Sequence, residues 1–143
     1  MYDTLLFLHV LGAFAMVGAT VVYWAVMLAA RGIDRPTALT PVFAPANAAI
    51  AAGSLMTLVF GIWLAIYLDG YEIWEGWILA SLILWAASVE LGRRGGARIA
   101  TGSEGGDAPL AAALRDSRTT LMLVASSVAL LLILALMIWK PGA

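Results

Sequence analysis

There is no cysteine among the 143 residues, and there is a single histidine, His9. Without thiols, a disulfide framework and a thiolate metal site are both excluded. Charge is scarce as well: Asp, Glu, Lys and Arg make up 12% of the chain, where a soluble domain carries about a quarter. That shortage rules out an ordinary water-soluble domain and gives nothing for nucleic acid to bind. No nucleophile–base pair, phosphate-cradling loop or carboxylate dyad is present. No catalytic residue is therefore assigned, and a non-enzyme is the simpler expectation. What the chain has instead is apolar sequence in long blocks, 63% hydrophobic with a mean hydropathy of +0.96.

Four spans are readable, at about 5–30, 44–68, 74–91 and 119–139. Each exceeds the roughly 17 residues that cross a hydrocarbon core. The first opens on "MYDT", which lacks the positive charge of a signal peptide, and its apolar run is too long for one. The expected fold is all-α: one domain over residues 1–143, a four-helix transmembrane bundle running up-down-up-down in the lipid bilayer. Arg31 and Arg35 lie between spans one and two, and Arg93, Arg94, Arg98, Arg115 and Arg118 between spans three and four. Seven of the eight basic residues thus share one side. The positive-inside rule puts that side in the cytoplasm of a bacterial inner membrane, with both termini outside.

The connections carry their own signals. "RGIDRPTALTPVFAP" holds three of the five prolines and cannot be one continuous helix. "GRRGGARIATGSEGGDAPL" is rich in glycine and charge and reads as a mobile loop in which Gly102 tolerates a large side chain. Within it, Asp107 followed by Pro109 marks a short helix leading into span four. The "DGYEIW" turn is short, so spans two and three are expected to be antiparallel neighbours. Tyr71, Trp74 and Trp77 read as an aromatic belt, and Asp69, Glu72 and Glu75 as a solvated turn with some capacity for a cation. Glu90 is spaced to pair with Arg93 or Arg94. Asn47, Ser54, Ser126 and Ser127 suit interhelical hydrogen bonds.

On span two, Ala49, Gly53, Thr57, Gly61 and Ala65 recur every fourth residue. Small residues at that spacing make a seam for close helix packing; the alternative is a flat groove for a macrocycle or lipid. On span one, His9 shares a face with Gly12, Ala13, Met16, Thr20, Tyr23 and Met27. An intramembrane histidine is a functional candidate by default. At similar depth, counting inward, lie Gly61, Ser81 and Met137. Three readings of His9 stand. It bonds a backbone carbonyl or Ser81 as a structural residue; it ligates a b-type haem, with Gly12 and Ala13 leaving room and Met137 as a second axial candidate; or it holds copper with thioethers or the outer carboxylates. The partners these imply are a haem or metal in two cases. In the other the chain is an accessory subunit of a larger membrane complex or a homo-oligomer.

The segments "LHVLGAFAMVGA", "GSLMTLVFGIWLA", "GWILASLILW" and "MIWKPGA" together resemble an uncharacterised family of small bacterial integral membrane proteins. More distantly, the first span resembles the copper-resistance CopD membrane domain and the HemJ-type protoporphyrinogen oxidases. On the HemJ-type comparison His9 matches the haem-ligating histidine and Gly18 the glycine further along. Trp77 matches a tryptophan of the third span. Ser81 stands where that family has a functionally important lysine, so the resemblance implies haem binding without the oxidase reaction.

Overall fold

The computed structural model describes residues 1–67 and 74–140. Five α-helices follow one another: α1 (Tyr2–Ala30), α2 (Thr40–Tyr67), α3 (Gly76–Glu104), α4 (Asp107–Arg115) and α5 (Ser117–Trp139). A 3-10 turn over Pro36–Leu39 leads into α2. Four of the five helices are long and apolar enough to cross a membrane, so the chain is an all-α, multi-pass membrane protein. Large apolar side chains stand exposed along all four, Phe14, Trp63, Ile83 and Leu121 among them. Surfaces of that kind are stable against lipid and not against water.

The bundle is two hairpins. α1 packs along α2, and α3 along α5, while α2 and α3 come near each other at few points. Small residues explain the tightness within the first hairpin. A Cβ on Gly53 would lie 2.7 Å from the Gly12 carbonyl oxygen and 2.7 Å from the Met16 nitrogen. Backbone therefore meets backbone, and the every-fourth-residue stripe on α2 is a packing seam over Gly53–Gly61. Spans two and three, expected as neighbours, touch through long side chains: Trp85 Nε1–H donates to Ser54 Oγ at 2.9 Å.

The arginine-rich end departs most from expectation. The glycine-rich stretch after residue 91 is not a mobile loop, because α3 runs unbroken to Glu104. Its glycines are contact points. Gly95 faces the Leu123 side chain, and Gly102 faces Ala113, Pro109 and Leu110 of α4. A residue inserted at Gly102 would meet backbone, so the tolerance expected there is absent. The chain turns only at Gly105–Gly106, where Gly106 takes φ +99°, a conformation that favours glycine. α4 then starts at Asp107, close to where the Asp–Pro signal placed it. The proline-rich connection is also more helical than expected. Pro36 opens the 3-10 turn, and both Pro41 and Pro45 lie inside α2.

Here, too, sits the main core. Tyr23, Met27 and Ala30 of α1, Phe43 and Ala46 of α2, Ile99 of α3, Leu110 and Leu114 of α4 and Leu123 of α5 form one buried cluster. Arginines fasten it. Arg31 Nε donates to the Leu114 carbonyl and Arg31 Nη2 to Thr120 Oγ1, each at 2.7 Å. Arg98 reaches Asp116 at 3.1 Å, and Arg115 Nη2 donates to the Arg31 carbonyl. These side chains, read from sequence as topological, also tie α1, α3, α4 and α5 together. Glu90 pairs with both Arg93 and Arg94, at 2.8 and 2.6 Å, as the spacing suggested.

Candidate functional site

His9 lies two turns into α1, half-buried against α2. Its Nδ1 is 2.9 Å from the Thr57 carbonyl oxygen. A carbonyl only accepts, so Nδ1 donates to it, and in the neutral ring Nε2 is the nitrogen with the lone pair. The ring is seated where α2 has no side chain: a Cβ on Gly61 would be 2.9 Å from Cε1 and 3.0 Å from Nδ1. One helix turn further in, a Cβ on Gly12 would fall 2.8 Å from the Thr57 nitrogen and 2.8 Å from Thr57 Oγ1. His9, Gly12 and Met16 of α1 thus interlock with Gly53, Thr57 and Gly61 of α2. Of the two partners expected for a structural His9, a backbone carbonyl and Ser81, the ring meets the carbonyl.

The remaining candidates are dispersed. Ser81, expected near His9, is buried in α3 and donates to the Trp77 carbonyl at 2.7 Å. Met137 is on α5, whose main partner is α3, whereas the contacts to the His9 ring come from α2. Ala13 is half-buried next to the seam. The room for a porphyrin beside Gly12 is taken by Thr57, so this face has no cradle for a macrocycle. What is present is one imidazole nitrogen with a lone pair. Among the described residues no group of three or more His, Asp or Glu side chains could hold a metal ion.

At the N-terminal end of α3, Trp77 is buried rather than part of a belt, while Trp74 and Trp139 are exposed. Trp77 Nε1–H donates to Glu75, and Lys140 Nζ lies 5.7 Å above its ring. Tyr71, Asp69 and Glu72 lie outside the described residues, so the belt and the solvated turn read on them carry over only in part.

A second polar region, between the hairpins, is legible in the sequence only in part. Trp24 Nε1–H of α1 donates to Ser127 Oγ of α5 at 3.0 Å, and Trp85 of α3 donates to Ser54 of α2. Ser88 and Ser126 each donate to the other's backbone carbonyl, at 2.9 and 2.8 Å, closing α3 on α5. Three of the four polar residues singled out for interhelical bonding, Ser54, Ser126 and Ser127, do that job. Around them is a cleft of about 60 Å³, lined by residues of all four long helices. The signal in the sequence was the serines. Their convergence with two indoles depends on how the hairpins face each other.

At the arginine-rich end two of the carboxylates outside the spans are held by hydrogen bonds. Asp107 Oδ1 accepts from both the amide and the hydroxyl of Thr37, which hold its pKa below the usual carboxylate value. Asp116 caps α5 by accepting from Thr119 N–H at 2.9 Å. That bond, the Thr119 hydroxyl and Arg98 lower its pKa likewise. No family model, no curated protein and no solved structure matches this chain.

Proposed function

We propose that this chain is a structural or accessory protein of a bacterial inner membrane, with its arginine-rich end in the cytoplasm and both termini outside. In this reading His9 is a lock between α1 and α2. The observation that carries it is the His9 Nδ1–Thr57 carbonyl bond, set within a seam where Gly12, Gly53 and Gly61 bring the two backbones together. Every face of the histidine that touches α2 is committed to packing. The arginine asymmetry supports the orientation. Single cysteines at Trp74 and Glu104 test it in this cysteine-free chain: an impermeant maleimide on intact cells labels position 74 and spares 104, and the reverse inverts the topology.

One observation favours a second reading, in which His9 carries a single b-type haem or a copper ion. Metal-ligating histidines commonly fix one ring nitrogen on a carbonyl and present the other to the metal, and Nδ1 on Thr57 has that form. The donor chemistry suits one axial bond through Nε2. The filled space beside Gly12 does not suit a porphyrin on that face, and no reaction is assigned through it. The resemblance to the CopD and HemJ-type groups leans the same way.

The two readings separate on His9→Asn. Asparagine can still donate to the Thr57 carbonyl but cannot replace imidazole as an axial ligand. A lock predicts that His9→Asn keeps most of the wild-type thermal stability while His9→Leu loses it. Protein made with ample haem then shows no Soret band. A Soret band that disappears in His9→Asn overturns the structural reading in favour of haem.

A further inference from the structure

The cleft between the hairpins holds an unexplained polar atom. Tyr23, which lines the cleft, is 4% exposed, and among the described residues its hydroxyl has no hydrogen-bond partner. Buried hydroxyls are almost always paired, with protein or with ordered water. Serines lining the same cleft can accept. Ser54 already accepts from Trp85, and Ser88 and Ser126 donate to carbonyls, yet each serine oxygen retains acceptor capacity. Asn47 is exposed at the edge of the cleft. A Cβ on Gly96 would be 3.8 Å from both Asn47 Oδ1 and the Tyr23 hydroxyl, so the two polar atoms flank one patch of α3.

Size then selects the occupant. A cavity needs only about 10–15 Å³ of water-accessible space per molecule, so a cleft of about 60 Å³ admits a small cluster of waters. A porphyrin is far too large. We propose that the cleft is a hydration site, in which water bonded to the Tyr23 hydroxyl bridges it to Asn47 and to the Ser88–Ser126 pair, and exchanges past Asn47. The two hairpins then meet across a wet polar seam, between helices whose outward faces are apolar. A bridging water is nearly as good enthalpically as a direct bond, and it satisfies all these groups without moving a helix. This site is independent of His9 and of the role assigned to it.

Radiolytic hydroxyl-radical footprinting of the whole protein in lipid nanodiscs tests the proposal, because radicals made from bound water oxidise the side chains beside it. Phe43 is the internal control: it is buried to a similar degree, at 7% exposed, and its ring centroid is 5.1 Å from that of Tyr23. With each rate normalised to the intrinsic reactivity of its ring, Tyr23 should be oxidised several-fold faster than Phe43. Asn47→Leu, which closes the mouth with an apolar side chain, should bring Tyr23 down to the Phe43 rate. Equal rates in the wild type overturn the proposal whether or not Asn47→Leu folds. Tyr23→Phe gives a second decision by its sign. Loss of a water-bonded hydroxyl lowers the melting temperature, whereas removal of an unpaired hydroxyl from a dry cleft leaves it level or raises it, and that result also overturns the site.

Discussion

The close approach of α1 and α2 makes a quantitative prediction about one methyl group. A Cβ on Gly53 would sit 2.7 Å from the Gly12 oxygen, 2.7 Å from the Met16 nitrogen and 3.1 Å from Met16 Cα. All three are backbone atoms, so no rotamer change relieves the clash and α1 must move as a body. Opening the seam by a radial gap of roughly 0.5–1 Å forfeits about a quarter to a half of each contact's attraction along it. It also stretches the 2.9 Å bond from His9 to the Thr57 carbonyl. Overpacking of this kind costs about 1–3 kcal/mol. Replacing a helical glycine by alanine returns up to about 1 kcal/mol through propensity, which would blur a comparison with wild type. Gly18→Ala removes that ambiguity, since Gly18 is in the same hairpin and a Cβ there meets nothing within 4 Å. Propensity cancels between the two variants, and Gly53→Ala should be the less stable by about 1–3 kcal/mol. Equilibrium unfolding by SDS in mixed micelles, followed by far-UV circular dichroism, measures the difference. If Gly53→Ala is as stable as Gly18→Ala, the helices do not touch backbone to backbone and the seam is refuted.

Gly102→Leu should lower the melting temperature markedly, because a Cβ there already meets Ala113 Cβ at 2.9 Å and the Pro109 oxygen at 3.1 Å; wild-type stability would mean that α4 is not docked on α3. Trp85→Phe keeps the ring but deletes the donor to Ser54, and should cost about 0.5–1.5 kcal/mol in the same SDS assay. Acid should weaken the arginine-rich end through Asp116. Its folded pKa is lowered by Thr119 and Arg98, so its contribution is complete above the unfolded value of about 3.9 and is lost as pH falls through the lower folded value. Melting curves between pH 7 and pH 2 should show Asp116→Asn starting below wild type and falling less on acidification; parallel curves would deny the carboxylate this role.

Some features of this protein follow from local chemistry and could be read in one dimension. Apolar blocks longer than a bilayer is thick force helices, since no other backbone conformation of a single segment satisfies its own polar groups in lipid. Hence the four long helices were legible, as was the four-residue spacing that makes Gly53, Thr57 and Gly61 a seam. Glu90 with Arg93 and Arg94, and the helix start at Asp107, are equally local, set by spacing and by the missing amide of Pro109. Glycine was misread where its meaning is set at long range. The residues around Gly95 and Gly102 look like a loop in sequence, but α5 and α4 approach so closely that only a hydrogen fits, and packing overrides the helix-breaking tendency. The same holds at His9. Its place on the inward face was visible in the wheel, but its partner was not, because Thr57 offers a backbone carbonyl, a group every residue has. Which carbonyl the imidazole meets, which serine each indole reaches, and whether Tyr23 ends at a wall or at a cleft depend on the depth and rotation of one helix against another. Those are set by the sum of many weak contacts in three dimensions, so only the tertiary structure decided them.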